Sequence, residues 1–285
     1  MKLAVLADIH GNLAALTAVV ADIAAWRPDA VVVAGDIVNR GPCSRACLER
    51  VLALARDAGW RLLRGNHEDY VLNVARHPEL HPPGLEDAVR ENVRWTWRQL
   101  GAATEALEQL PERVSLPAPD GSEVRVVHAS MRHNRDNILA DTPDEVLRQQ
   151  IAPAPALFVV GHTHRPLIRR IDQTLVVNVG SVGLPFDGDV RAAYGRMEWR
   201  DGGWEAEIVR LPYDRAQTER DFAESGFLDA SGPIAPLIYD EFLTARPRLF
   251  TFVERYREPV LAGAMTPEQA ASEFLATLRS DGAAA

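Results

Sequence analysis

Ala30-Val31-Val32-Val33-Ala34 followed by Gly35-Asp36-Ile37-Val38-Asn39-Arg40-Gly41-Pro42 is a short apolar run closed by Gly and Pro. That is the pattern of a buried strand that ends in a loop. Asp36 stands where the strand ends, and in an open α/β sheet ligands bind beyond the carboxyl ends of the strands. A lone Asp in such a loop more often bonds its own backbone or caps a helix. Here the neighbouring strand ends carry residues of the same kind.

Upstream, Leu3 to Ala7 reads as a strand and Asp8-Ile9-His10-Gly11-Asn12 as its loop. Asn12 is placed to cap a helix to about Trp26, because Leu13, Leu16, Val20 and Ile23 share one face. Pro28 stops it before the next strand. Downstream, Ser44 is the expected N-cap of a helix to Ala58, and Trp60 to Leu63 forms a strand ending at Gly65-Asn66-His67. Asp8 and Asp36 are 28 residues apart, and Asp36 and Asn66 are 30 apart. Both spacings suit a right-handed βαβ unit that returns to the same sheet edge.

Residues 68–110 read as helical, broken at His77-Pro78 and at His81-Pro82-Pro83-Gly84. Val89, Val93, Trp97 and Leu100 share a helix face, with Trp95 to one side. This cap-like insertion is expected to cover the rim and restrict substrate size. Beyond Pro111 strands dominate: Val124 to Val127, Leu157 to Val160, Leu175 to Val179, Ala192 to Trp199 and Trp204 to Leu211. The last two are joined by the hairpin signal Asp201-Gly202-Gly203. The expected class is α/β (α+β), with two mixed sheets face to face and helices outside. The expected division is a domain over residues 1–213 and a helical extension over 214–285. The extension's Phe222, Phe227, Leu237, Ile238, Phe242, Leu249, Phe250 and Phe252 should pack on the body or on a second copy of the chain. Ser280 to Ala285 should fray.

The chain has 285 residues, 47% hydrophobic and 25% charged, with a formal net charge of −9. This balance disfavours a polyanion-binding surface and so makes nucleic acid an unexpected partner. Bound cations would reverse the local sign, so phosphate substrates stay open. No stretch is long enough to span a bilayer, and the apolar start is too short for a signal peptide. Cys43 and Cys47, four apart, read as a helix face kept reduced, with metal ligation as the alternative. A cytoplasmic location is the expectation.

The strand ends together deliver Asp8 and His10, Asp36, Asn66 and His67, His128, and His162 and His164. Five of the eight histidines are among them. A mixed oxygen and imidazole set without thiolate suits Mn, Fe, Zn, Co or Ni, manganese foremost, rather than Ca or Mg alone. Asp-x-His and His-x-His pairs in extended chain point both side chains to one face. Seven ligands serve two ions if one carboxylate bridges, and Asp36 lies between the two groups. Two such ions, about 3.5–4 Å apart, lower the pKa of a shared water and clamp an in-line phosphoryl displacement.

Asp8-Ile9-His10, Gly35-Asp36, Gly65-Asn66-His67-Glu68, His128 and Gly161-His162-Thr163-His164 resemble the ordered motifs of the calcineurin-like metallophosphoesterase superfamily. Asn178-Val179-Gly180-Ser181-Val182-Gly183, Asp187-Gly188-Asp189 and Arg191-Ala192-Ala193-Tyr194 resemble its small bacterial and archaeal phosphodiesterase branch, which includes diadenosine tetraphosphatase-like proteins. The resemblance implies a four-layer αββα sandwich. It places Asp8, His10, Asp36 and His164 on one metal, and Asp36, Asn66, His128 and His162 on the other. It makes His67 a residue that contacts the substrate phosphate or protonates the leaving oxygen.

Gly35 to Gly41 also resembles the phosphoprotein phosphatase motif, in which the Arg matching Arg40 binds phosphate, a role suited to a planar bidentate donor. The alternative for Arg40 is a loop Arg that caps a helix. Asn39 stands where the protein phosphatases carry Asp, which weakens an Asp–His pairing with His67. Arg132 and His133, just past His128, are further substrate-binding candidates. The expected function is hydrolysis of phosphodiester or nucleotide-type esters by a hydroxide shared between two metals, with Asp36, His67 and Arg40 catalytic and Asn66 and Arg132 on the substrate. A phosphomonoesterase, a dinucleoside tetraphosphate hydrolase and a non-catalytic scaffold are the alternatives.

Overall fold

The structure is a computed structural model that describes residues 1–283. Strand β1 (Lys2–Leu6) leads to α1 (Leu13–Trp26), then β2 (Ala30–Ala34), α2 (Ser44–Ala58) and β3 (Arg61–Leu63). The Asn12 side chain accepts the Ala15 N–H at 3.1 Å and so starts α1 as expected. Ser44 is not the cap of α2: Cys43 holds that position, and the Ser44 hydroxyl accepts the Asn39 N–H at 3.0 Å. Next come α3 (Asn66–Arg76), α4 (Leu85–Leu100), a 3-10 turn at Gly101–Thr104 and α5 (Glu105–Glu108).

The second half contains β4 (Arg113–Pro117), β5 (Glu123–Val127), α6 (Asp144–Ile151), β6 (Leu157–Val160), β7 (Leu167–Ile171), β8 (Thr174–Asn178), β9 (Ala192–Arg200) and β10 (Gly203–Leu211). One sheet runs β10-β9-β1-β2-β3 and the other β4-β5-β6-β8-β7. In the first, β1, β2 and β3 are parallel and β9 and β10 join antiparallel on one side; in the second, parallel β5, β6 and β8 are flanked by antiparallel β4 and β7. Asp201 and Gly202, both at positive φ, make the two-residue turn between β9 and β10, and Gly203 already pairs with Arg200. β4 and β7 were not among the strands expected from the sequence. Both are edge strands, with an alternating or arginine-bearing pattern that lacks the continuous apolar run of a central strand.

Burial explains the layering. Leu3, Val5, Val32 and Ala34 of the first sheet meet Val124, Val126, Val159 and Val177 of the second. On its other face the first sheet is covered by Leu16, Val19 and Ile23 of α1 and Leu48 and Val51 of α2. Leu147 and Ile151 of α6 cover the outer face of the second. The result is the four-layer αββα arrangement. It aims the carboxyl ends of β1, β2, β3, β5 and β6 at one rim.

The extension comprises α7 (Arg215–Glu224), α8 (Phe227–Ala230), α9 (Ala235–Thr244), α10 (Leu249–Leu261) and α11 (Pro267–Ala283). Phe222, Phe227, Leu237, Phe242 and Phe252 pack with Leu85, Ala88 and Trp95, so the extension docks on α4 of the body. Trp95 meets Phe227 edge-on at 5.0 Å. Val93 and Leu100, on another face of α4, join the core beneath the first sheet. The segment expected to fray is helical through Ala283, and Ala284 and Ala285 lie outside the described residues.

Candidate functional site

The loops after β1 and β2 are zipped together by backbone: Asp8 N–H donates to Gly35 O at 3.1 Å and His10 N–H to Asp36 O at 3.0 Å. Asp8, His10, Asp36, His162 and His164 all take positive φ, between 46° and 68°. Side chains other than glycine adopt that region at a cost, and they stay there where the surroundings dictate it, most often at functional sites. Ligand atoms of Asp8, His10, Asp36 and His164 lie within 4.8 Å of one another, as do those of Asp36, His128 and His162. Asp36 is common to both groups. Asn66 joins the second, with Oδ1 2.8 Å from His128 Nε2.

The tautomers identify what this cluster is built to hold. Nδ1 of His10 faces the Asn39 carbonyl at 3.2 Å, that of His128 faces the Ala34 carbonyl at 2.8 Å, and that of His164 faces the Leu184 carbonyl. A carbonyl only accepts, so each Nδ1 carries a proton and Nε2 points inward, where it offers a lone pair whenever the ring is neutral. His10 Nε2 and His164 Nε2 then oppose each other at 3.1 Å. His128 Nε2 lies 3.3 Å from Asp36 Oδ2, and His164 Nε2 lies 3.3 Å from Asp8 Oδ1. Asp8 Oδ1 is buried without any hydrogen-bond partner. Lone pairs and carboxylates converging in a buried site call for cations, and the donor set fits divalent metal ions.

The electrostatics agree. Burial lowers His10 to about 3, with His164 acting in the same direction. Burial and the neighbouring His128 lower His162 to about 4. Burial also works against protonating His128, yet Asp36 overrides it and raises the ring to about 10. Without a cation, a proton on His128 takes the cation's place. Burial disfavours the Asp36 carboxylate, but His128 and His67 hold it well below the usual range.

His67 is buried on α3 and its N–H donates to Asp36 Oδ1 at 2.9 Å. The pairing expected to be weak is present in amide form: Asn39 Nδ2 lies 2.8 Å from His67 Nδ1. The Thr96 hydroxyl of α4 donates to Asn39 Oδ1 at 3.1 Å. Burial lowers His67 well below its ordinary value. Glu68 is fully buried, and its carboxylate accepts the N–H groups of Asp36, Ile37, Val38 and Gly65. Burial and Asp36 push it up to about 7, against the pull of those donors. Glu68 was not among the candidate site residues expected from the sequence. Its position three residues after the helix-opening Gly65 was the available signal.

A cleft of about 490 Å³ opens onto the cluster, with Asp36, Asn66, His162 and His164 in its lining and Arg40 and His67 beside them. Of residues 68–110 only Tyr70 lines this cleft, because α4 is buried between the body and the extension. Arg132 lines a neighbouring cavity of about 510 Å³ together with His128, and its guanidinium is held by Asp136, with Nε 2.6 Å from Oδ2. The extension instead contributes Pro247 and Phe250, which the spacing of site motifs did not reveal.

A family model described as the calcineurin-like phosphoesterase superfamily domain matches residues 1–202. An uncharacterized protein of Methanocaldococcus jannaschii is 29% identical over 230 residues, covering 74% of this chain and 88% of that protein. A metallophosphoesterase from Sphaerobacter thermophilus is 28% identical with a TM-score of 0.66, over 86% of this chain and 99% of its own. A hypothetical protein from Pyrococcus horikoshii shares the fold, with a TM-score of 0.70 at 22% identity over 82% and 97% of the two chains. Since the matched domain takes in every strand end that feeds the metal-binding cluster, the chain belongs to the calcineurin-like phosphoesterase superfamily and is a metal-dependent phosphoester hydrolase.

Proposed function

We propose that the chain hydrolyses phosphodiester or nucleotide-type phosphate esters with two divalent transition-metal ions, manganese foremost. The observation that carries this reading is Asp36, whose carboxylate is shared by the two donor groups. Asp8, His10, Asp36 and His164 would hold one ion, and Asp36, Asn66, His128 and His162 the other. When bound, the ions supply positive charge at the phosphoryl group and a water of lowered pKa.

The chain's own residues then bind and protonate. Arg40 lines the cleft and presents a planar donor to phosphate oxygens. Thr96 orients the Asn39 amide so that its N–H donates to His67 Nδ1, which leaves the ring proton on Nε2. From Nε2, a neutral His67 donates to the phosphate or to the departing ester oxygen. The catalytic unit is residues 1–213, and the helices of 214–285 form its extension.

The test is release of p-nitrophenol from bis(p-nitrophenyl) phosphate and from p-nitrophenyl phosphate with Mn²⁺, for the natural chain and for Asp36→Asn and His67→Ala. Preference for the diester, lost in both variants, is the expected result. Preference for the monoester would move the reading to a phosphomonoesterase. A rate untouched by Asp36→Asn would overturn it.

A further inference from the structure

Seven of the extension's eight apolar residues noted in the sequence are buried, and the eighth, Phe250, is 78% exposed. Leu249, Phe252 and Tyr256 take up the inward face of α10, which turns Phe250 outward in its first turn. Phe250 and Pro247 line the same cleft as Asp36 and His164. Tyr70, Leu139 and Phe186 line it too, Phe186 stacked on the His164 ring with centroids 4.3 Å apart. The cleft therefore joins the charged cluster to an apolar and aromatic mouth at the exposed Phe250, with Arg165 also in its lining.

Glu241 of α9 fixes this mouth relative to the phosphate-binding side. Its carboxylate is 1% exposed, and Oε1 accepts the Arg248 and Leu249 N–H groups at 2.7 and 2.9 Å, which sets the start of α10. Oε2 has no hydrogen-bond partner and lies 3.5 Å from Arg40 Nη1. One buried carboxylate thus ties the arginine of the cleft to the turn that carries Phe250.

Building on the phosphoesterase reading above, we infer that Phe250 is a stacking platform for a flat aromatic arm of the substrate, a nucleobase, while the phosphate lies by Arg40 and the metal-binding cluster. An amphipathic ester of this kind matches both ends of the cleft, because any base offers a π-face to an aromatic side chain. The platform comes from the extension, beyond the residues that the family model matches.

The probes are AMP and ribose 5-phosphate, which differ only by the base, titrated calorimetrically into the Mn²⁺-loaded full chain. AMP is expected to bind about tenfold more tightly, with Phe250→Ala erasing the difference and Phe250→Trp keeping it. In turnover of bis(p-nitrophenyl) phosphate, Phe250→Ala should raise KM and spare kcat. Equal binding of the two probes by the natural chain, or equal weakening of both by Phe250→Ala, overturns the inference. So does a change of oligomeric state in Phe250→Ala, which would make the ring a contact between copies. A chain that prefers AMP through Phe250 yet hydrolyses no ester would sink the catalytic proposal alone.

Discussion

Glu68 Oε2 accepts the backbone N–H of Asp36 at 2.8 Å, and the same oxygen accepts that of Gly65 at 2.8 Å. A single buried side chain therefore joins the ends of β2 and β3 and holds the shared ligand from behind. Glu68→Gln keeps the shape but puts an NH₂ group where two N–H donors now find an acceptor. Each buried donor left unsatisfied costs about 1–3 kcal/mol. The variant is expected to melt at lower temperature and to bind Mn²⁺ more weakly, as thermal unfolding with and without metal would show. An unchanged metal affinity would mean that the clamp does not position Asp36.

Metal binding should release a proton from His128. Burial pulls this ring down, but Asp36 raises it to about 10, so it is protonated in the metal-free chain through neutral pH. His10, at about 3, and His162, at about 4, are already neutral there. The cation must displace the His128 proton, so affinity rises with pH, about tenfold per unit below that ring's pKa. Calorimetry with Mn²⁺ between about pH 6.5 and 8.5, in buffers of different ionisation enthalpy, should count close to one proton from this ring. A flat affinity across that range would contradict the assignment of His128 as a ligand.

Arg40 provides a sharper kinetic test. Its guanidinium faces the cleft and lies beside Glu241, at 3.5 Å. Arg40→Lys keeps the charge but loses the planar fork, which is expected to raise KM for a phosphate ester by about tenfold with a smaller change in kcat. Steady-state kinetics on the diester reads both. A KM equal to that of the natural chain would take Arg40 out of substrate binding and leave it as a brace for α9.

The central strands and the residues of the candidate metal cluster were legible in the sequence because a strand buried on both faces is apolar throughout, as at Val31 to Val33. The polar residue that ends such a run must lie at the sheet's rim, and Asp8, Asp36 and Asn66 all do. The edges were less legible. In β7 Arg169 stands between Leu167 and Ile171 on the more buried face while Ile168 is exposed on the other, so no apolar alternation shows. Partners set by packing were hidden as well. That α4 reaches the site loop through Thr96, and that α10 reaches the cleft through Phe250, follows from how the helices dock, which no local spacing encodes.

Gly65 is where the approach of β2 and β3 leaves no room. A Cβ there would lie 2.2 Å from Asp36 Oδ1 and 2.7 Å from the Asp36 backbone nitrogen. Neither neighbour can retreat cheaply, since Oδ1 accepts the His67 N–H and the nitrogen donates to Glu68. Gly65→Ala must therefore push Asp36 off its position rather than displace a flexible side chain. Overpacking of this kind costs about 1–3 kcal/mol in stability, and metal affinity should fall about 10- to 100-fold, as when an outer support of a ligand is removed. Mn²⁺ titration alongside thermal unfolding separates the two effects. If Gly65→Ala lowers stability but binds metal as tightly as the natural chain, Asp36 is not the ligand on which both donor groups depend.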